Sequence, residues 1–154
     1  MKRIVRFLMW PLVFVLGFAL GAFLFSKTVR RPLIATQDCH ISNACLNQKQ
    51  LLALFASVGL EKFPGSIPGI VMETDKTIVV TDPVSDAKVD YVVIPKKDIT
   101  DIGNLGSEDT PYLIDAYAVI DQLIARDKAV NYKVLTNGPG FQDVAYLHFH
   151  LEEY

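Results

Sequence analysis

Cysteine, histidine and excess charge are all scarce in this chain. Among 154 residues there are 2 cysteines, 3 histidines and 1 tryptophan. Two cysteines allow at most one internal disulfide, which can staple a local loop but cannot replace a hydrophobic core. Charge is nearly balanced, with Lys+Arg 15 against Asp+Glu 17 and a formal net charge of -2. No basic stripe exists outside the first thirty or so residues, so nucleic acid is not expected as a partner. The length leaves room for about one ordinary domain. Hydrophobic residues make up 51% and charged residues 21%, which excludes a disordered chain and exceeds what a fully soluble domain needs.

The apolar excess lies at the N-terminus. Phe7 to Phe25 reads FLMWPLVFVLGFALGAFLF without a charge, roughly 28 Å of helix, close to the hydrocarbon thickness of a bilayer. Every face is apolar, unlike a core helix, and Pro11 falls in the first turns, where proline is tolerated. Phe-Leu-Phe-Ser-Lys offers no small-x-small cleavage site, so the expectation is an uncleaved single-pass anchor over residues 1–31. Lys2, Arg3 and Arg6 precede the run and Lys27, Arg30 and Arg31 follow it, so charge alone leaves the orientation open.

Residues 32–60 form a polar, cysteine-containing linker and a helix, and residues 61–154 the folded domain. Cys39 and Cys45 are spaced too widely for a typical zinc pair, and His40, His148 and His150 are the only imidazoles. A local disulfide is the simpler reading, and it puts the domain on the extracytoplasmic side. No metal or cofactor is expected. From Asn47 the pattern turns helical, with Asn47 and Gln50 as a cap pair, Leu51, Leu54, Phe55 and Val58 as the apolar stripe, and Gly59 as the stop. Three β-branched runs follow, Ile70 to Glu73, Thr77 to Thr81 and Val89 to Ile94, with a turn at Thr74-Asp75-Lys76. Ser107 or Thr110 caps a second helix carrying Leu113, Tyr117, Ile120 and Ile124. Tyr132 to Thr136 and Val144 to Leu151 close an antiparallel sheet of about five strands. The class is therefore α+β, with a long helix on one face of the sheet.

The last strand carries the chemistry. Strict alternation puts Val144, Tyr146, His148 and His150 on one face and Ala145, Leu147, Phe149 and Leu151 on the other. Two imidazoles and a phenol can then converge on a ligand, and a neutral imidazole is a competent nucleophile or proton carrier.

These segments resemble a known family. Asp90-Tyr-Val-Val-Ile-Pro-Lys-Lys-Asp98, a helix, Tyr132-Lys-Val-Leu-Thr-Asn137-Gly138, then Gln142-Asp-Val144 and Tyr146-Leu-His-Phe-His-Leu151 are similar to the histidine triad (HIT) superfamily of nucleotide hydrolases and transferases, over roughly residues 68 to 153. The resemblance implies a nucleotide or a nucleotide-linked small molecule or lipid as the ligand. It makes His148 the nucleophile that attacks an α-phosphorus, with His150 supporting the phosphate. Asp82 matches the carboxylate that receives the ribose hydroxyls, and Asn137 an asparagine that orients the phosphate. Gln142, Asp143 and Tyr146 fall at substrate-facing positions. Backbone N–H groups between Gly138 and Gln142 would receive the developing charge, with Lys96 and Lys97 as further candidates.

The chain also departs from the family pattern. Tyr146 replaces the first triad histidine, and Asp143 stands where a hydroxyl often donates to the phosphate. Asp90 and Asp98 occupy two family histidine positions. Three readings follow: a membrane-tethered nucleotide hydrolase, including one directed at a lipid-linked nucleotide as CDP-diacylglycerol pyrophosphatase is; a catalytically inactive nucleotide-binding module; and an interaction domain. Family members commonly form two-fold dimers, and the Leu113 to Ile124 helix could serve that contact.

Overall fold

The computed structural model describes residues 2–29, 31 and 47–154, with side chains of the first helix described from Met9 onward. The Cys39–Cys45 disulfide expectation lies outside the described residues. Helix α1 runs from Lys2 to Leu24 with Pro11 inside it. Its large side chains from Met9 to Phe23 face outward, Trp10, Phe14 and Phe18 among them. Among the described residues no helix is long and apolar enough to cross a membrane. The expected span from Phe7 to Phe25 is therefore not supported by them.

Helix α2 covers Gln48–Lys62, and the Asn47 side chain accepts the Gln50 N–H at 3.0 Å, as the cap pair requires. Gly59 does not stop the helix. Its carbonyl accepts the Phe63 N–H and the helix runs on to Lys62, where Phe63-Pro64 opens a short 3-10 turn, Pro64–Ser66. Proline disfavours helical geometry in the residue before it, which explains the later stop. The expected apolar stripe is also on the wrong side. The helix buries Gln50, Ala53, Ser57 and Leu60 and leaves Leu51, Leu52 and Phe55 exposed. Spacing alone does not reveal which stripe the fold buries.

Strands β1 (Ile70–Glu73), β2 (Thr77–Thr81), β3 (Val89–Pro95), β4 (Tyr132–Leu135) and β5 (Phe149–Glu153) form one antiparallel sheet in the order β1-β2-β3-β5-β4. The turn between β1 and β2 is held by the Thr74 hydroxyl, which accepts the Lys76 and Thr77 N–H groups. Helix α3 (Thr110–Asp127) starts with Pro111 in its first turn and ends at Lys128, in the left-handed region at φ 54. A 3-10 turn, Ser107–Asp109, leads into it, and the Asp109 carboxylate accepts the Gly106 N–H and pairs with Lys97.

The sheet has a core on each face. Val79, Tyr91, Val93, Phe149 and Leu151 pack against Ala116, Val119, Ile120 and Leu123 of α3. On the other face Ile78 packs with Ala53 and Leu60 of α2 and with Ala145 and Tyr146. The expected stripe of α3 holds at Ile120, and Ala116, Val119 and Leu123 are buried beside it. Leu113 and Ile124 are half-buried, and Tyr117 lies at the edge with its ring 5.5 Å from that of Phe149.

One buried ion pair ties the stretch after α1 to this domain. The Arg31 guanidinium binds both oxygens of the Asp98 carboxylate at 2.7 and 2.8 Å, and the Val29 N–H donates to the same group. Arg31 also donates to the Gln50 side chain. The Asp98 side chain is fully buried, so removing its partner would strand a charge, at a cost of about 3–5 kcal/mol.

The two-sided core predicts a sharp contrast along α3. Leu123→Ala should lower the unfolding free energy by about 2–5 kcal/mol, while Gln122→Ala, on the exposed face, should stay within about 0.5 kcal/mol. Denaturant unfolding followed by circular dichroism measures both.

Candidate active site

Strand β5 begins at Phe149, so the expected strand from Val144 is too long. Before it, backbone groups bond elsewhere. The Ala145 N–H donates to the Lys49 carbonyl, the Tyr146 N–H to the Val144 carbonyl and the Leu147 N–H to the Ile99 carbonyl. These contacts bend the chain, and the alternation fails there. Ala145 and Tyr146 fall into the same core cluster. Tyr146 is 2% exposed and its hydroxyl donates to the Pro95 carbonyl at 2.9 Å. Burial pushes this phenol far above its ordinary value, so Tyr146 is a packing residue and does not face a ligand as expected.

Alternation holds from Leu147 onward. Leu147, Phe149 and Leu151 enter the α3-facing core, while His148 and His150 remain half-buried on the opposite side. Their rings meet edge-on with centroids 5.2 Å apart. The Nδ1 of His148 lies 2.8 Å from the Tyr146 carbonyl. A carbonyl only accepts, so Nδ1 carries the proton and Nε2 keeps its lone pair. Burial is the main cause that holds His148 below the usual histidine value. The Tyr146 carbonyl pulls it upward, nearby His150 pushes it down, and the Asp143 and Asp90 carboxylates raise it. The Thr136 hydroxyl donates to the His148 carbonyl at 2.8 Å, pinning the end of β4 beside the histidine.

His150 sits opposite Val92 in the β3–β5 ladder, two positions along from Asp90 on the same face. Its Nδ1 lies 3.1 Å from both Asp90 oxygens. Asp82 joins them, since its N–H donates to the Asp90 carbonyl and its carboxylate lies near both groups. Donor atoms of Asp82, Asp90 and His150 lie within 4.8 Å of one another, and these residues are the ones placed to hold a metal ion. Asp90 was not singled out as a site residue from the sequence. A lone carboxylate near the start of the otherwise apolar strand Val89–Pro95 is the signal that could have found it.

The other candidates divide. Asp143 is exposed and acts on His148 through its charge, and Asn137 is half-buried in the turn after β4. Gln142 is buried and donates to the Thr100 carbonyl, which makes it a brace for the loop. The Phe141 and Gln142 N–H groups both bond the Gly138 carbonyl, so the loop uses two of the amides expected to receive charge. Lys96 pairs with Glu73 and Lys97 with Asp109, which places both ammonium groups in structural contacts.

Residues 62–153 match the family model described as scavenger mRNA decapping enzyme, C-terminal binding. The chain belongs to this family, and through it to the histidine triad superfamily. An uncharacterized HIT-like protein of Chlamydia muridarum is 38% identical over 85 residues, covering 53% of this chain and 67% of the relative. Among solved structures, a HIT family hydrolase from Clostridium thermocellum superposes with a TM-score of 0.56 at 24% identity, over 63% of this chain and 89% of its own. A histidine triad nucleotide-binding protein from Candida albicans gives 0.52 at 26% identity, over 63% of this chain and 75% of that one. This histidine triad fold has an α+β architecture and a five-stranded antiparallel sheet.

Burial of a neutral imidazole gives a pH prediction. Because the folded-state value of His148 lies below its ordinary 6.5, the unfolded chain binds this proton first as pH falls. The stability tied to neutral His148 is complete above 6.5 and is lost as pH falls toward the lower folded value. A nuclear magnetic resonance titration should place the His148 midpoint below 6.5, and His148→Gln should flatten that part of the stability profile.

Proposed function

We propose that this chain is a membrane-tethered nucleotide phosphohydrolase or nucleotidyl transferase in which His148 is the nucleophile. The observation that carries this reading is the held, neutral imidazole: Nδ1 is fixed on the Tyr146 carbonyl and burial keeps the ring unprotonated at neutral pH. The free Nε2 lone pair attacks the α-phosphorus of a nucleotide and forms a P–N bond. The bond to the leaving group breaks, and that group departs with its electron pair. Water then attacks the nucleotidyl-histidine and restores the free imidazole.

His150 stands beside the nucleophile on the same strand face, where it meets the phosphate oxygens. Asp82, half-buried, accepts the two ribose hydroxyls, and Asn137 orients the phosphate. The amides of Gly138 and Gly140 are the loop donors for the developing charge. Substrates are nucleotide phosphoanhydrides or phosphoramidates, including lipid-linked ones. Tethering is supported by the uncharged run from Phe7 to Phe25 and by the outward-facing apolar side chains of α1, an exposed surface too apolar to be left in water. In this reading the domain is extracytoplasmic, Cys39 and Cys45 are bonded, and two copies pair through the outer face of α3 at Ile114 and Tyr117.

Turnover of nucleoside phosphoramidates, dinucleoside polyphosphates and CDP-diacylglycerol by the full chain in detergent tests the chemistry. His148→Ala should abolish turnover, a fall of about 10³-fold or more for loss of a nucleophile. Asp82→Ala should act mainly by raising KM. Activity should fall on the acid side, through a midpoint below the ordinary histidine value of 6.5, because only neutral His148 attacks. No turnover by folded wild type on any of these would overturn the hydrolase reading, and release from membranes by alkaline carbonate would overturn the anchor.

A further inference from the structure

Three side chains from one corner of the sheet converge: Asp82 just after β2, Asp90 near the start of β3 and His150 in β5. Two carboxylates brought together repel unless something positive lies between them. Lysine and arginine do not supply it. Among the described residues neither Asp82 nor Asp90 pairs with either, and the partner that could carry positive charge is the His150 imidazole. The Asp90 side chain is only 3% exposed. Both of its oxygens face the same single imidazole nitrogen at 3.1 Å. A buried carboxylate has about four acceptor positions, so one N–H leaves it badly under-served.

We propose that Asp82, Asp90 and His150 Nδ1 form a divalent-cation site. The set of two carboxylate oxygens and one imidazole nitrogen suits manganese-like ions of intermediate hardness. All the donor atoms lie within 4.8 Å of one another. Small side-chain rotations bring them to the spacing of about 3 Å that neighbouring ligands have around an ion bound at about 2.1 Å. The Asp90–His150 separation of 3.1 Å already has that value. The Asp82 carboxylate accepts the Val84 N–H through Oδ1, which leaves Oδ2 for the ion.

The site also has a consequence for His150. Without a cation, Nδ1 donates its proton to Asp90 and Nε2 is left unprotonated in the neutral ring. A cation on Nδ1 moves the ring proton to Nε2, which turns His150 into a hydrogen-bond donor beside His148. The cation therefore selects the tautomer of the imidazole next to the proposed nucleophile. This assignment does not rest on the hydrolase reading, but the two share Asp82, so a cation there and the ribose hydroxyls compete for one carboxylate.

Manganese(II) titration of the full chain in detergent, followed by electron paramagnetic resonance, tests the site. Manganese favours oxygen donors over thiolates, so the cysteines do not compete strongly. The expected result is one ion per chain, with affinity at least about tenfold weaker in Asp90→Asn and in Asp82→Asn and unchanged in His148→Ala. Asp82 is half-buried, so its variant remains informative where loss of buried Asp90 unfolds the protein. In ¹⁵N resonance, a diamagnetic cation that accepts imidazole, zinc, should shift the His150 proton from Nδ1 to Nε2. No binding by folded wild type in the millimolar range, or equal binding by wild type and Asp82→Asn, overturns the proposal. Manganese binding without nucleotide turnover would sink the hydrolase reading and leave the cation site standing. Turnover without binding would do the reverse.

Discussion

The antiparallel pairing of β3 with β5 is the constraint on which the rest of the structure depends. Its register sets Val93 against Phe149 and Val92 against His150. Because side chains alternate, one choice of register does two things at once. It sends Phe149 and Leu151 into the core under α3, and it leaves His148 and His150 on the other face near Asp90. A slip by one residue would bury both imidazoles and expose the core aromatic. The hydrophobic burial of β5 therefore fixes the geometry of the candidate site, with no separate device needed.

The second face of the sheet is closed only in part. Helix α2 covers the Ile78 end with small residues, and the bent stretch before β5 adds Ala145 and Tyr146 to the same cluster. At the histidine end His148 and His150 are half-buried, and burial holds His148 below the ordinary histidine value. Tyr146 belongs to this closure. Its ring fills the core and its hydroxyl satisfies the Pro95 carbonyl, while its own carbonyl holds Nδ1 of His148. Tyr146 thus supports the site from beneath through its backbone. Arg31 extends the same support, since its pairing with Asp98 anchors the stretch after α1 to the end of β3.

Most of the architecture was legible in the residue pattern. The first three strands, the cap at Asn47, the position of α3 and the α+β class all follow from alternation, helical spacing and turn chemistry. The inner faces of the helices were less legible. In α2 the larger apolar residues, Leu51 and Phe55, stay outside while Ala53 and Ser57 go in. Helical periodicity identifies a stripe, but which stripe turns inward is decided by what the rest of the fold packs against it.

By itself the sequence determined the motif around His148 and His150, the alternation that puts both on one face, and the uncharged N-terminal run, because these are properties of neighbours along the chain. Tertiary structure alone decided the partners. Asp90 comes to His150 across 60 positions of sequence, Arg31 to Asp98 across 67, and Tyr146 to Pro95 across 51. Such contacts depend on strand order and on where the backbone bends. Only the folded sheet sets either, because each is chosen by the burial of side chains far away in the chain.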